Sequence, residues 1–349
     1  MKLMRPSPLI NRPGVSVVVP CYNYGRYLPD AVHSALSQDG VDVEVIIVDD
    51  ASTDDSAAVA QRLASADARI SVVVHEENQG HISTYNDGLS RAAQRYVTLL
   101  SADDLIAPGA LARAAALMEA NPRVGMVYGL PRDFTDQPPP VAAEGRSTWT
   151  VWQGKQWISL ACTRGHNFIL SPEVVMRTEA MVGTGAYNKA LPHSGDLEYW
   201  LRAAAAWDVG RINGPVQAYY RVHGANMHQT EYAAAAVDLR HRLDAFRVLE
   251  DPRLGVSAEF RARQLRRVER ALSKEASTLG FREVADGGSL AAVELRKFIE
   301  GLQQVPGNVH RANTLQAAIV RGRHDPHTAY ARKQLDRLRW RIWSLTGIS

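Results

Sequence analysis

Cysteine is scarce: Cys21 and Cys162 are the whole complement of a 349-residue chain. Two thiols make no disulfide framework. Both lie in or beside apolar stretches, so they are expected as reduced core residues, which suits a cytoplasmic setting. No apolar run approaches the roughly 18 residues that a membrane-spanning helix needs. An excess of one charge is missing too, because the formal net charge is only +3, which gives no overall pull towards nucleic acid. No G-x-G-x-x-G follows any strand-like run, which disfavours a dinucleotide-binding Rossmann enzyme. There is no internal repeat. Residues 1–14 hold Lys2, Arg5 and Arg12 but no long apolar core, and read as a tail rather than a signal peptide.

What is present is alternation. Val15–Pro20, Val43–Val48, Ile70–Val74 and Tyr96–Leu100 are β-branched or apolar runs of strand length. Between them lie helical spacings over Tyr27–Gln38, around Val59 and Leu63, and over Ser83–Ala93, with Ser52 or Thr53 as a candidate cap for the second. Strand and helix alternating four times in a hundred residues predict βαβ units and a mostly parallel sheet. A helix over Pro108–Ala120 and a strand over Val124–Tyr128 follow. Trp149, Trp152 and Trp157 come next, as core packing or as a sugar-stacking surface. From about Glu231 strand patterns vanish. Residues 231–349 read as helical, with breaks at Asp286-Gly287-Gly288 and Val305-Pro306-Gly307.

Ser101-Ala102-Asp103-Asp104 stands at the carboxyl end of the fourth strand, where open α/β sheets bind ligands. Adjacent carboxylates repel unless a positive charge sits beside them. Mg²⁺ or Mn²⁺ carrying a substrate diphosphate is the natural candidate, because such ions accept one or two carboxylates plus phosphate oxygens. A solvated turn before Pro108 is the plainer alternative.

Six segments, in order, carry a family likeness. They are Val17-Val18-Val19-Pro20-Cys21-Tyr22-Asn23, Val45-Ile46-Ile47-Val48-Asp49-Asp50-Ala51-Ser52-Thr53-Asp54, Asn78-Gln79-Gly80 with Asn86-Asp87-Gly88-Leu89, Ser101-Ala102-Asp103-Asp104, Gly195-Asp196-Leu197-Glu198-Tyr199-Trp200-Leu201-Arg202, and Tyr220-Arg221-Val222-His223-Gly224-Ala225-Asn226. Together they resemble the inverting glycosyltransferases of family 2. The likeness covers about residues 15–228, implies the GT-A fold and says little about residues 231–349; with the composition it sets domains over 1–14 (tail), 15–230 (transferase) and 231–349 (helical). Ser101 stands where the family's D-x-D metal site usually has its first acid.

The resemblance implies roles. Pro20, Tyr22 and Asp50 would hold the nucleotide base, and a carboxylate that accepts the N3–H of uracil or thymine leans the donor towards UDP or dTDP. Asp49 would be structural. Asp103 would face the donor, and Asp104 would touch Mn²⁺ or Mg²⁺. His223 could complete the metal or diphosphate site, with Arg221 a weaker phosphate candidate. Asp196 would be the base that deprotonates an acceptor hydroxyl, ahead of Glu198. The expected reaction is inverting and non-processive, on a glycan or lipid-linked glycan of the cell surface. Gln334-Leu335-Asp336-Arg337 is followed by Leu338, short of the Q-x-x-R-W of processive synthases. Leu335, Leu338, Ile342 and Leu345 form a stripe flanked by arginines, so residues 331–349 suit either peripheral contact at the inner face of the membrane or packing on the protein or on a twin subunit. The alternatives are a sugar nucleotidyltransferase, which lacks support because Pro20–Arg26 is not a Gly-rich phosphate loop, and a glycan-binding protein without turnover, suggested by Ser101.

Overall fold

A computed structural model describes residues 1–137, 147–224, 234–302 and 305–321. Its centre is a ten-stranded mixed sheet. Strands β1 (Lys2–Met4), β2 (Gly14–Cys21), β3 (Asp42–Asp49), β4 (Ile70–Val74) and β5 (Tyr96–Leu99) come from the first hundred residues. β6 (Leu105–Ile106), β7 (Val124–Phe134), β8 (Thr148–Trp152), β9 (Val175–Arg177) and β10 (Asp208–Arg221) follow. The order is β1-β8-β10-β7-β9-β5-β2-β3-β4, with β6 paired to β10. β5-β2-β3-β4 is wholly parallel, as the alternation predicts, because a parallel neighbour needs a crossover helix. β9 runs antiparallel between β5 and β7.

β2 pairs with β3 on one side and with β5 on the other. The chain therefore reverses its winding direction at β2, and a crevice opens outside the carboxyl ends there. This topology puts Pro20, Asp50 and Asp104 together at the carboxyl ends of neighbouring strands.

Helices α1 (Leu28–Leu36), α2 (Ser56–Ala66) and α4 (Ala110–Ala120) cover one face, with Leu28, Val32, Leu111 and Leu117 buried against Val17, Val19, Val45 and Ile47. The other face carries α3 (His81–Ser90), α5 (Gly154–Arg164), α6 (Thr178–Thr184) and α7 (Gly195–Ala206). On that side α8 (Ala235–Phe246), α9 (Ala258–Ala285), α10 (Ser289–Gly301) and α11 (Asn308–Arg321) add a further layer. Leu239, Phe246, Val268 and Leu272 join one continuous core with Trp157, Ile158, Trp200 and Val18. The helix breaks fall at Asp286-Gly287-Gly288 and at Val305-Pro306-Gly307, as the composition predicts.

Some expectations are corrected. Lys2–Met4 is not a tail but an edge strand, paired residue for residue with Trp149–Val151. The sugar-stacking reading of Trp149, Trp152 and Trp157 fails, because all three are buried in the core. The turn before α2 is held by Asp54, whose carboxylate accepts the Ser56 N–H at 2.9 Å, and not by Ser52 or Thr53. Those two lace β3 to β2 instead: Asn23 N–H donates to Ser52 Oγ at 2.9 Å and Thr53 N–H to Asn23 Oδ1 at 2.7 Å. Among the described residues, no helix is long and apolar enough to cross a membrane. The stripe at 331–349 and Gln334–Leu338 lie outside the described residues.

Candidate active site

A cleft of about 750 Å³ opens at the carboxyl ends of β2, β3 and β5. Pro20, Tyr22, Asp50, Asp103, Asp104 and Asp196 all line it. A second hollow of about 480 Å³ lies between α8 and α10 and gathers none of them.

Asp50 ends its strand beside Ala51, which is held at φ +54°, a conformation that costs a non-glycine residue about 1 kcal/mol or more. Its carboxylate receives the N–H groups of Gln79 at 2.8 Å and Gly80 at 2.9 Å. His75 Nδ1 sits 2.8 Å from the same group, and its Nε2 lies 3.2 Å from Asp87. Burial would raise the Asp50 carboxyl, but these bonds and one from Thr84 outweigh it and hold it below the usual range. Asp50 is thus a fixed anion with most of its lone pairs in use. Tyr22 is 45% exposed and leaves a ring face open in the cleft. Asp49 is buried and accepts the Ser52 N–H at 3.0 Å, a structural role.

The Asn78–Gly88 stretch proves to be scaffold for this site. Asn86 clamps the backbone of Tyr187 with two bonds, at 3.0 and 2.7 Å. A Cβ on Gly88 would overlap Val18 and crowd Val48, so only glycine lets α3 lie this close to the sheet.

Asp103 and Asp104 are both buried. Asp103 Oδ2 lies 2.9 Å from His223 Nε2, whose ring stacks on Tyr27 and meets the edge of Tyr24. Asp104 Oδ1 accepts the Arg221 N–H at 2.8 Å. Burial, and after it the Asp103 charge, push the Asp104 carboxyl well above its ordinary value, and Arg221 only partly offsets them. The pair is therefore short of positive charge. The Arg221 side chain supplies only part of it. Its guanidinium lies between the rings of Tyr27 and Phe134, at 4.5 and 4.4 Å, and bonds the carbonyls of Asp103, Thr135 and Asp136. Arg221 is a strut for the Asp103–Asp104 turn, which corrects its reading as a phosphate contact.

No three His, Cys, Asp or Glu side chains converge as a ready metal cage among the described residues. Two carboxylates with an imidazole beside them are still a donor set for Mn²⁺ or Mg²⁺, provided that diphosphate oxygens fill the rest of the shell.

Asp196 is the second residue of α7, where the helix N-terminus favours an anion. Its Oδ2 accepts from Ser171 Oγ at 2.7 Å. The Tyr187 hydroxyl also donates to Asp196, and burial, with that carboxylate beside it, pushes the phenol far up, so it stays protonated. Glu198 is buried, and Arg202 grips both its oxygens at 2.8 and 2.9 Å, which leaves it structural. Nothing in the sequence singles out Ser171, Tyr187 or His75. Their importance lies in which carboxylates they meet, and only the fold reveals that. Asp238, Arg242 and Glu275, from α8 and α9, also reach the cleft.

The profile of Glycosyl transferase family 2 matches residues 16–181. TuaG of Bacillus subtilis strain 168, assigned to teichuronic acid biosynthesis as a glycosyltransferase, is 46% identical over 93 residues, 27% of this chain and 37% of TuaG. The GalNAc(5)-diNAcBac-PP-undecaprenol beta-1,3-glucosyltransferase of Campylobacter jejuni is 36% identical over 118 residues, 34% of this chain. The chain thus spans little more than a third of the length of these two curated relatives, 37% and 38%. Among solved structures, TarS 1-349 of S. aureus in complex with UDP-GlcNAc superposes with a TM-score of 0.62 at 18% identity, covering 88% of this chain and 89% of that one. Mannosyltransferase PcManGT of Pyrobaculum calidifontis, in complex with GDP-Man and Mn²⁺, gives 0.55 at 17% identity, covering 98% of this chain and 89% of that one. At such identities the likeness concerns the fold. With the profile lying over β2 to α6 and the same architecture in both structures, residues 16–181 match glycosyl transferase family 2 and the chain has a GT-A-type fold.

Proposed function

We propose that this chain is an inverting, non-processive glycosyltransferase. It would move a sugar from a nucleotide diphosphate, UDP or dTDP favoured, to a hydroxyl of a glycan or lipid-linked glycan in surface-polysaccharide assembly. The observation that carries the reading is the convergence of Asp50, Asp103, Asp104 and Asp196, from three separate segments, in one cleft. A diphosphate does not enter so acidic a cleft without a cation, and the Asp103–Asp104 pair needs one for its own charge. TuaG and the undecaprenol-linked glucosyltransferase support a surface-glycan acceptor by their names. The complexes of TarS and PcManGT support a nucleotide diphosphosugar donor, and the latter a metal.

In this reading Pro20 and Tyr22 pack on the base, while Asp50, already turned by Gln79 and Gly80, shares its remaining acceptor capacity with the base edge. Asp103 faces the donor and orients His223. Asp104 and His223 would hold Mn²⁺ or Mg²⁺, which when bound neutralises the diphosphate and the charge that the leaving nucleotide gains. Asp196 takes the proton of the acceptor hydroxyl as that oxygen attacks the anomeric carbon opposite the leaving group, which inverts the centre. Ser171 and Tyr187 fix the rotamer of Asp196.

Calorimetric binding of UDP, dTDP, GDP and CDP, each with and without Mn²⁺, tests the donor site. Mn²⁺-dependent binding of one nucleotide, lost in Asp104→Ala, is expected. Binding of none, or binding indifferent to both Mn²⁺ and Asp104→Ala, refutes the reading.

A further inference from the structure

The cleft does not end at Asp196. Its lining includes His193, just before α7, and Asp238, Arg242 and Glu275 from the helices that follow the sheet. These four side chains form one network. Arg242 grips both oxygens of Glu275, at 3.0 and 2.9 Å, and bonds Asp238 at 2.9 Å and the Gly165 carbonyl at 3.1 Å. His193 Nε2 lies 2.9 Å from the other oxygen of Asp238. The cation is buried at 9% side-chain exposure, while the two carboxylates are 34% and 37% exposed.

That asymmetry carries the argument. Each carboxylate oxygen has about two acceptor positions. Arg242 and His193 occupy some of them, and the partial exposure of both carboxylates leaves others open to the cleft. Groups fixed this way lose little freedom when they accept from a ligand. Arg242, even with a protonated His193, leaves no surplus positive charge against two carboxylates, so the network offers phosphates and uronates no attraction and suits donors. Sugar hydroxyls are such donors.

We propose that Asp238 and Glu275, held by Arg242, form a subsite for a neutral, hydroxyl-rich sugar unit of the acceptor, placed so that the unit's neighbour reaches Asp196. The proposal rests on the cleft being a sugar-transfer site and adds which end of it, and which helices, choose the acceptor. It also gives the segment after residue 234 a share in specificity.

The test uses the full chain and two variants, Asp238→Asn and Glu275→Gln, on an array of immobilised bacterial oligosaccharides of neutral, phosphorylated and uronic-acid types. Nucleotide affinity is measured in parallel as a check on folding. Retention on neutral glycans is expected to fall about tenfold or more in each variant, because a bond to a charged acceptor is lost, with nucleotide affinity unchanged. Equal retention by variants and parent, retention confined to acidic glycans, or no retention by a chain that binds nucleotide would each overturn the subsite. Failure of the parent chain to bind any nucleotide, with glycan retention still sensitive to both variants, would strike the donor reading and leave the subsite standing.

Discussion

Replacing Glu173 by Gln is expected to stabilise the protein, and more so as pH rises. Glu173 closes a single 3-10 turn, Ser171–Glu173, and is only 3% exposed. Burial pushes its carboxyl up from 4.5 to about 8, and the Leu170 N–H, the Arg211 charge and a weaker approach of the Gly129 N–H offset this only in part. Between those values the folded state keeps a proton that the unfolded chain has released, so the group's contribution to stability falls as pH rises. At roughly 1.4 kcal/mol per pH unit the penalty reaches about 3 kcal/mol at pH 7 and at most about 5 kcal/mol above pH 8. Glutamine has no proton to lose and can accept the Leu170 N–H as Glu173 Oε1 does at 2.9 Å. Its amide nitrogen replaces Oε2, a buried atom with no hydrogen-bond partner among the described residues, at a cost of about 1 kcal/mol. A net gain of about 2 kcal/mol at pH 7 is left. Urea unfolding of both proteins at pH 5, 6, 7 and 8 measures it. A difference that stays constant over that range would refute the reasoning. The site is coupled to this turn, because Ser171, two residues before, orients Asp196.

Asp196→Asn should lower kcat by about 10²–10⁴-fold with nucleotide affinity unchanged. Glu198→Gln should do the reverse, destabilising by about 2–3 kcal/mol through Arg202 while kcat stays within about tenfold; single-turnover assays with melting curves would expose a swap of roles. Burial lowers the His75 imidazole, but Asp50 and Asp87 outweigh it and raise it above 6.5. Its stabilisation is therefore full below that value and lost as pH climbs through the higher folded one, and His75→Gln should abolish that slope in chemical denaturation. Gly88→Ala should cost about 1–3 kcal/mol by overpacking α3 on Val18 and Val48, read as a lower urea midpoint.

The parallel half of the sheet was legible because its inner strands, β2, β3 and β5, are buried on both faces and so read as largely apolar runs, as in Val45–Val48. The acids were legible because they follow such runs directly. Lys2–Met4 was not, since an edge strand needs only backbone pairing and leaves little trace in side chains. Val124–Tyr128 was extended to Phe134 by its partner β10, a tertiary effect. Arg221 read as a phosphate ligand because charge is visible in sequence, whereas the Tyr27 and Phe134 rings that sandwich it come from distant segments. Asp238 and Arg242 form an i,i+4 helix pair, and Glu275, a helix away in space, gives it its meaning.

The continuous core between sheet and later helices has a thermodynamic consequence. Trp157, Ile158, Trp200 and Leu201 contact the sheet on one side and the helices of the second half on the other. A fragment ending near residue 230 would turn this apolar surface to water, and each large side chain uncovered forfeits about 1.5–3 kcal/mol. A few such losses exceed the margin by which most domains stay folded. Transferase and helical segments should therefore melt in one cooperative transition, and the smallest autonomous folding unit is longer than the stretch matched by the family profile.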